Sequence, residues 1–205
     1  MKNIKIVAFD CDGVMFDTKE SNTAYYNQIL SHFGRPAMTP EQFAYCHIHT
    51  ADQAIAKLFD EEESFRAAQS YRKSMSYIPF LKYMEMEPYL KPLIEKLRPR
   101  YKTAVATNRS DTMDRVIREH GLEGCFDLVV CASDVENPKP HPDSLIKIID
   151  HFGVAPGDSL YVGDSELDEM AAKAAGMPFV AYNNSLLTAD YHIQNLMEIA
   201  EILEV

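Results

Sequence analysis

Asp10 and Asp12 stand two positions apart at the end of an apolar run, in Phe9-Asp10-Cys11-Asp12-Gly13-Val14. Residues two apart on an extended chain project to the same side, so both carboxylates can face one site. Gly13 lets the backbone turn sharply just after them. Two acids so placed repel each other unless a cation or a shared proton resolves the charge. The carboxyl ends of parallel strands are also where such sheets bind ligands. For the pair alone, a plainer alternative is one aspartate capping a turn and the other solvated.

Three later segments carry chemistry of the same kind. Ala106-Thr107-Asn108-Arg109-Ser110 closes a second apolar run, and Asp111 is predicted to open a helix. A hydroxyl and an amide beside free N–H groups at a helix start form a phosphate cradle, with an ordinary helix cap as the alternative. In Asn137-Pro138-Lys139-Pro140-His141-Pro142, three prolines stiffen the loop that presents Lys139. A solvated lysine is the alternative there. Gly163-Asp164-Ser165-Glu166-Leu167-Asp168 places Asp164 at a strand end, as Asp10 is on its own strand. Glu166 and Glu169 are accounted for by the favourable position of acids at a helix N-terminus. Two strand-end carboxylates meeting across neighbouring strands make a hard oxygen site suited to Mg²⁺.

The elements that must hold these residues can be read from the apolar pattern. Strands are predicted at 5–9, 103–106, 128–131, 160–162 and 179–182, each nearly continuous in apolar residues, as in a parallel sheet covered on both faces. Helical spacing separates them: Met113, Val116, Ile117 and His120 before Gly121, and Leu145, Ile148, Ile149 and Phe152 before Gly153. This alternation predicts an α/β fold with a doubly wound, Rossmann-like parallel sheet. Between the first two strands lie helical segments at 18–33, 40–45, 51–59 and 61–75 and almost no strand pattern. An insertion of that length reads as an all-helical cap subdomain. The expected organisation is a catalytic core of 1–17 and 88–205 with a cap of 18–87. Arg66, Arg72 and Lys73 are expected to form a solvated cationic face of the last cap helix.

With 205 residues, 46% of them hydrophobic and 25% charged, the chain can bury one good core and a smaller second one. Its net charge of -11 argues against nucleic acid or an anionic membrane as partner, since both require a positive footprint. The N-terminal apolar run stops at Asp10, too short for a signal peptide, and no stretch approaches the roughly 18 apolar residues of a membrane helix. Cys11, Cys46, Cys125 and Cys131 form no CxxC pair, which fits reduced thiols in a cytoplasm.

In order along the chain, Asp10-Cys11-Asp12-Gly13-Val14, Thr107-Asn108-Arg109, Lys139 within Lys-Pro-His-Pro, and Gly163-Asp164-Ser165 with Asp168 resemble the motifs of the haloacid dehalogenase-like hydrolase superfamily. The likeness is to its phosphoglycolate phosphatase-like group with a helical cap, and it extends over nearly the whole chain. It implies that Asp10 attacks phosphorus and becomes an aspartyl phosphate, and that Asp12 protonates the leaving alkoxide and then activates water. It further implies Mg²⁺ held by Asp10, the backbone carbonyl of Asp12 and Asp164. Thr107, Asn108, Arg109 and Lys139 would bind phosphate, with Thr107 and Lys139 stabilising the transition state. Asp168 would orient Lys139 or a metal-bound water.

The presence of Asp12 favours a phosphate ester over a haloacid, because dehalogenating members have no alkoxide to protonate and lack that residue. Residues 16–18 would form a hinge. Where relatives carry a glycine-containing substrate loop, this chain has Cys46-His47-Ile48-His49-Thr50, which makes His47 and His49 candidate substrate contacts. The expected activity is Mg²⁺-dependent phosphomonoester hydrolysis of a small phosphorylated metabolite. A phosphomutase of the same superfamily, similar to β-phosphoglucomutase, and a non-catalytic phosphate-binding regulatory module are the alternatives. Monomer and homodimer are both compatible with the sequence.

Overall fold

The computed structural model describes residues 3–205. β1 (Ile6–Phe9) is Ile-Val-Ala-Phe with all four side chains buried. The chain leaves it through a tight turn, where the Met15 and Phe16 N–H groups both donate to Cys11 O at 3.0 Å. β2 (Phe16–Asp17) follows, and with it the first part of the chain passes into the helical segment.

That segment carries α1 (Lys19–His32), α2 (Pro40–Ile48), α3 (Ala51–Leu58), α4 (Glu62–Ser74) and the short α5 (Ile78–Leu81). Reciprocal capping boxes, Thr39 with Gln42 and Thr50 with Gln53, start α2 and α3 by satisfying N–H groups that have no partner within the helix. Tyr25, Ile29, Ile55, Phe59 and Phe80 belong to its own hydrophobic core. α2 runs on through Cys46, His47 and Ile48, so the expected loop at 46–50 shrinks to His49 and Thr50. Arg72 also departs from expectation. Its side chain is only 7% exposed and its guanidinium donates to Asp52 at 2.6 Å, so it is a buried structural cation rather than part of a solvated face.

The chain returns through β3 (Glu85–Met86), which pairs with β2, and continues as α6 (Leu90–Leu97), β4 (Lys102–Ala106), α7 (Met113–Glu119) and β5 (Leu128–Val130). α8 (Asp143–Phe152), β6 (Ser159–Gly163), α9 (Glu166–Ala175), β7 (Phe179–Tyr182), β8 (Tyr191–Ile193) and α10 (Glu198–Ile202) complete it. Two units result: one ends at Phe16 and resumes at Met86, and the other is Asp17–Glu85.

Six strands form one sheet in the spatial order β5-β4-β1-β6-β7-β8, every neighbouring pair parallel. Counted along the chain within this sheet, the order is 3-2-1-4-5-6, that of the doubly wound Rossmann architecture. The fold is therefore α/β and doubly wound, as the strand and helix alternation predicts. The direction of winding reverses at β1, between β4 on one side and β6 on the other. Loops leaving the carboxyl ends there diverge and open a crevice. Ile6, Ala8, Ala104, Tyr161, Leu145, Ile148 and Ala171 pack on one face of the sheet, each large aliphatic side chain contributing about 1.5–3 kcal/mol by leaving water. Among the described residues no helix is long and apolar enough to cross a membrane.

Candidate active site

The reversal point fixes which loops converge. Asp10 follows β1, Thr107 follows β4 and Asp164 follows β6, so three of the four sequence motifs are carried by adjacent strands. The Asp10 N–H donates to Val162 O at 2.9 Å, and the Thr107 N–H donates to Val130 O at 3.0 Å, continuing the ladders to the first residue beyond each strand. The register pairs Phe9 with Val162, which sets Asp10 level with Gly163 and Asp164 one residue further out.

Two glycines make room for the carboxylates. Gly13 has φ +89°, and a Cβ there would lie 2.1 Å from Asp164 Oδ2. A Cβ on Gly163 would lie 2.3 Å from Asp168 Cβ. A side chain at either position would collide with an acidic group, so the close approach of backbone to carboxylate depends on glycine.

Lys139 is the centre of a buried network. Its side chain is 3% exposed, and Nζ lies 2.8 Å from Asp10 Oδ1 and 2.7 Å from Asp168 Oδ1. It also donates to the Tyr161 hydroxyl at 2.9 Å and to Ala106 O at 3.2 Å. The loop bearing it is tied down by Asn108 Nδ2, which donates to Lys139 O at 3.1 Å, and contains a cis Lys139-Pro140 bond. Both oxygens of Asp168 are occupied: Oδ1 accepts from Lys139 and Tyr161, and Oδ2 accepts from the Ser165 N–H at 3.1 Å and its hydroxyl at 2.5 Å. Burial opposes ionisation of Asp168, but Lys139 and the hydrogen bonds from Ser165 and Tyr161 outweigh it and hold the carboxyl below its usual range. Burial likewise opposes the ammonium of Lys139, yet Asp10 and Asp168 keep it above the ordinary lysine range.

Asp12 has a different cation. Arg109 Nε donates to its Oδ2 and Nη2 to its Oδ1, both at 2.7 Å. Thr107 accepts the Arg109 N–H on Oγ1 at 3.1 Å and is itself buried. α7 begins at Met113 rather than at Asp111, so Thr107, Asn108 and Arg109 stand on a loop ahead of the helix and not on its first turn. Cys11, between the two acids, is fully buried, and burial followed by the charge of Asp12 pushes its thiol well above the usual range.

Carboxylate oxygens of Asp10, Asp164 and Asp168 lie within 4.8 Å of one another. Burial, opposed by Lys139 and reinforced by Asp168 and Asp12, pushes the Asp10 carboxyl up to about 7. Burial, then Asp168 and Asp10, pushes Asp164 well above its usual range. Asp168 is spent on protein donors. Asp10, which meets Lys139 through Oδ1, and Asp164 are left as neighbouring carboxylates, a donor set that fits a hard divalent cation.

The sequence brings Asp10, Asp12, Thr107, Asn108, Arg109, Lys139, Asp164 and Asp168 into consideration, and all eight belong to the sheet-bearing unit. His47 and His49 belong to the helical unit and have local partners there. His47 Nδ1 is 3.2 Å from Asn22 Nδ2 and its ring stacks on Phe43. His49 Nδ1 is 2.9 Å from Tyr45 O and stacks on the Tyr45 ring. Tyr161 was not singled out by its sequence. The available signal is a hydroxyl-bearing residue in the otherwise apolar run Leu160-Tyr161-Val162 just before Gly163.

The family model of haloacid dehalogenase-like hydrolases matches residues 7–182. A protein named pyrophosphatase PpaX from Bacillus velezensis is 28% identical over 185 residues, covering 85% of this chain and 81% of that one. The phosphoglycolate phosphatase of Escherichia coli K12 is 28% identical over 228 aligned positions, covering 98% of this chain and 87% of that one. The crystal structure of a subfamily IA hydrolase of the same superfamily from Geobacter sulfurreducens is 39% identical with a TM-score of 0.80, covering 98% of this chain and 96% of that one. The chain belongs to the haloacid dehalogenase-like hydrolase family.

Proposed function

We propose that this phosphatase is a Mg²⁺-dependent phosphomonoesterase that hydrolyses a small phosphorylated metabolite through an aspartyl phosphate on Asp10. The observation that carries the reading is the separate pairing of two neighbouring acids, Asp10 with Lys139 and Asp12 with Arg109. Carboxylates with different cation partners can do different work. The names of both curated relatives, a phosphoglycolate phosphatase and a pyrophosphatase, support release of phosphate from a small molecule.

In this reading an Asp10 carboxylate oxygen forms a bond to phosphorus as the bond from phosphorus to the leaving oxygen breaks. Asp12 gives that oxygen a proton. In the second half Asp12 takes a proton from the water that attacks phosphorus, and the Asp10 carboxylate is regenerated. Lys139, the Thr107 hydroxyl and Asn108 bind the non-bridging oxygens, where charge spreads in the transition state. Asp168 and Tyr161 keep Lys139 in place. Asp10, the backbone carbonyl of Asp12 and Asp164 would hold Mg²⁺, which when bound supplies positive charge between carboxylate and phosphate.

Phosphate release from a panel of esters, measured with Mg²⁺ and with excess chelator, tests the proposal. Activity that collapses on chelation and in Asp10→Asn supports it. Turnover retained in either case contradicts it.

A further inference from the structure

Arg109 is positioned like a residue that serves Asp12. β1 and β4 are neighbours in the sheet, so the loop after β4 carries Arg109 alongside the loop that carries Asp12, although 97 positions separate them in sequence. The guanidinium meets the carboxylate edge to edge, Nε to Oδ2 and Nη2 to Oδ1, with side chains only 7% and 13% exposed. It is held from behind as well, Nη1 donating to Thr112 Oγ1 at 3.1 Å and the backbone N–H to Thr107 Oγ1 at 3.1 Å. A forked pair of this kind fixes both oxygens and the plane of the carboxylate, whereas a lysine at the same place would hold one oxygen and leave the plane free to turn.

The cations of the site therefore have separate tasks. Lys139 lies with Asp10 and Asp168, on the side of the nucleophile. Arg109 lies on the side of the acid that addresses the leaving group. We propose that Arg109 is a positioning residue, acting through Asp12 by fixing the plane and reach of its carboxylate rather than by binding phosphate. The inference rests on the reading of Asp12 as the group that protonates the leaving oxygen. A proton donor turned away from that oxygen loses its contribution even when phosphate binds normally.

Dependence on the leaving group separates positioning from phosphate binding or a general loss of structure. An alkoxide is a poor leaving group and needs a proton, and 4-nitrophenolate is a good one and needs little help. The value of kcat/KM reads steps up to the first irreversible cleavage, so the later work of Asp12 on water does not enter it. The experiment measures kcat/KM with Mg²⁺ for glycerol phosphate and 4-nitrophenyl phosphate in the wild type, Arg109→Met, Arg109→Lys, Asp12→Asn and Asp12→Asn/Arg109→Met.

The expected result is a loss of about 10²-fold on the alkyl ester in Arg109→Met and a loss at least about tenfold smaller on the aryl ester. Arg109→Lys is expected to restore little of the alkyl activity. Asp12→Asn/Arg109→Met is expected to match Asp12→Asn within about threefold, since a residue acting through Asp12 has nothing left to position. That last comparison stands even if Arg109→Met alone fails to fold, because it removes both charges of the buried pair together.

Equal losses on the two esters in Arg109→Met, rescue by lysine, or a further loss of about tenfold in the double variant would each overturn the assignment of Arg109. If Asp12→Asn itself lowers both esters equally, the proton-transfer role of Asp12 fails, and the positioning role falls with it. Selectivity in Asp12→Asn without selectivity in Arg109→Met removes the second and leaves the first.

Discussion

The ammonium of Lys139 lies 2.8 Å from the Asp10 carboxylate, and on its other side it is 2.7 Å from Asp168. Three N–H donors thus face two acids, the Tyr161 hydroxyl and Ala106 O. The acid-labelled residues differ in their freedom. Asp168 is saturated by Ser165 and Tyr161 as well as Lys139, while Asp10 is buried at the end of β1 with its carboxyl pushed up to about 7 by that burial.

Removal of the lysine should leave Asp168 as an uncompensated buried charge. Lys139→Met is expected to cost about 3–5 kcal/mol of stability, the usual penalty for breaking a buried pair from one side. Replacing both partners, as in Lys139→Met/Asp168→Leu, should recover part of it, with activity absent in both. Urea denaturation of the three proteins checks this, and equal stability of the single and double variants would contradict it.

Tyr161→Phe keeps the apolar ring in the core and removes one oxygen, which accepts from Lys139 and donates to Asp168. We expect a stability loss of about 1–3 kcal/mol from polar groups left short of a partner, together with a fall in kcat. Thermal melting and steady-state kinetics check both. Unchanged kcat would show that Lys139 needs no help from the hydroxyl.

Gly13→Ala places a methyl carbon 2.1 Å from Asp164 Oδ2, on a backbone with φ +89°. Strain of this kind costs about 1–3 kcal/mol, and the displaced carboxylate should weaken Mg²⁺ binding and move the activity midpoint to higher Mg²⁺. A Mg²⁺ titration of activity measures the effect. An unshifted midpoint in Gly13→Ala would mean that Asp164 does not need this close approach.

The raised carboxyl of Asp10 has a consequence for stability against pH in chelator. A folded-state value above the unfolded one stabilises the protein fully below the unfolded value of 3.8, and this is lost as pH rises through about 7. Wild type should therefore lose stability relative to Asp10→Asn between pH 4 and 7, and Asp164, shifted in the same direction by burial and neighbouring acids, adds to the slope of both. Added Mg²⁺ should flatten the wild-type curve. Chemical denaturation at a series of pH values measures the difference, and a wild type that gains stability relative to the variant across this interval would contradict the shift.

Much of the sheet was legible because burial on both faces writes a strand as a continuous apolar run. The stretch at 179–182 coincides with β7, and 103–106 falls within β4. β8 was not legible, since Tyr191 and His192 are exposed at the edge of the sheet and give no such run. The extension of α2 through Ile48 was hidden by two histidines that resemble loop residues in composition but stack on Phe43 and Tyr45.

The candidate site was legible as a set of residues and not as a set of partnerships. Strand-end acids, the Thr107 loop and the proline-flanked lysine announce themselves by type and position. That Arg109 takes Asp12 while Lys139 takes Asp10 and Asp168 depends on which strands are neighbours, and no local pattern records it. Tyr161 was concealed by an aromatic body that satisfies the strand pattern whether or not its hydroxyl has a task.

The central claim is a covalent phosphoryl group on Asp10. Rapid acid quench of the enzyme mixed with a turned-over ester and Mg²⁺, followed by intact-mass and peptide mass spectrometry, tests it most directly. The expected result is a phosphorylated peptide mapped to Asp10, formed at least as fast as the ester turns over and absent in Asp10→Asn. Normal turnover with no such adduct at any quench time, or an adduct mapped to another residue, would contradict it.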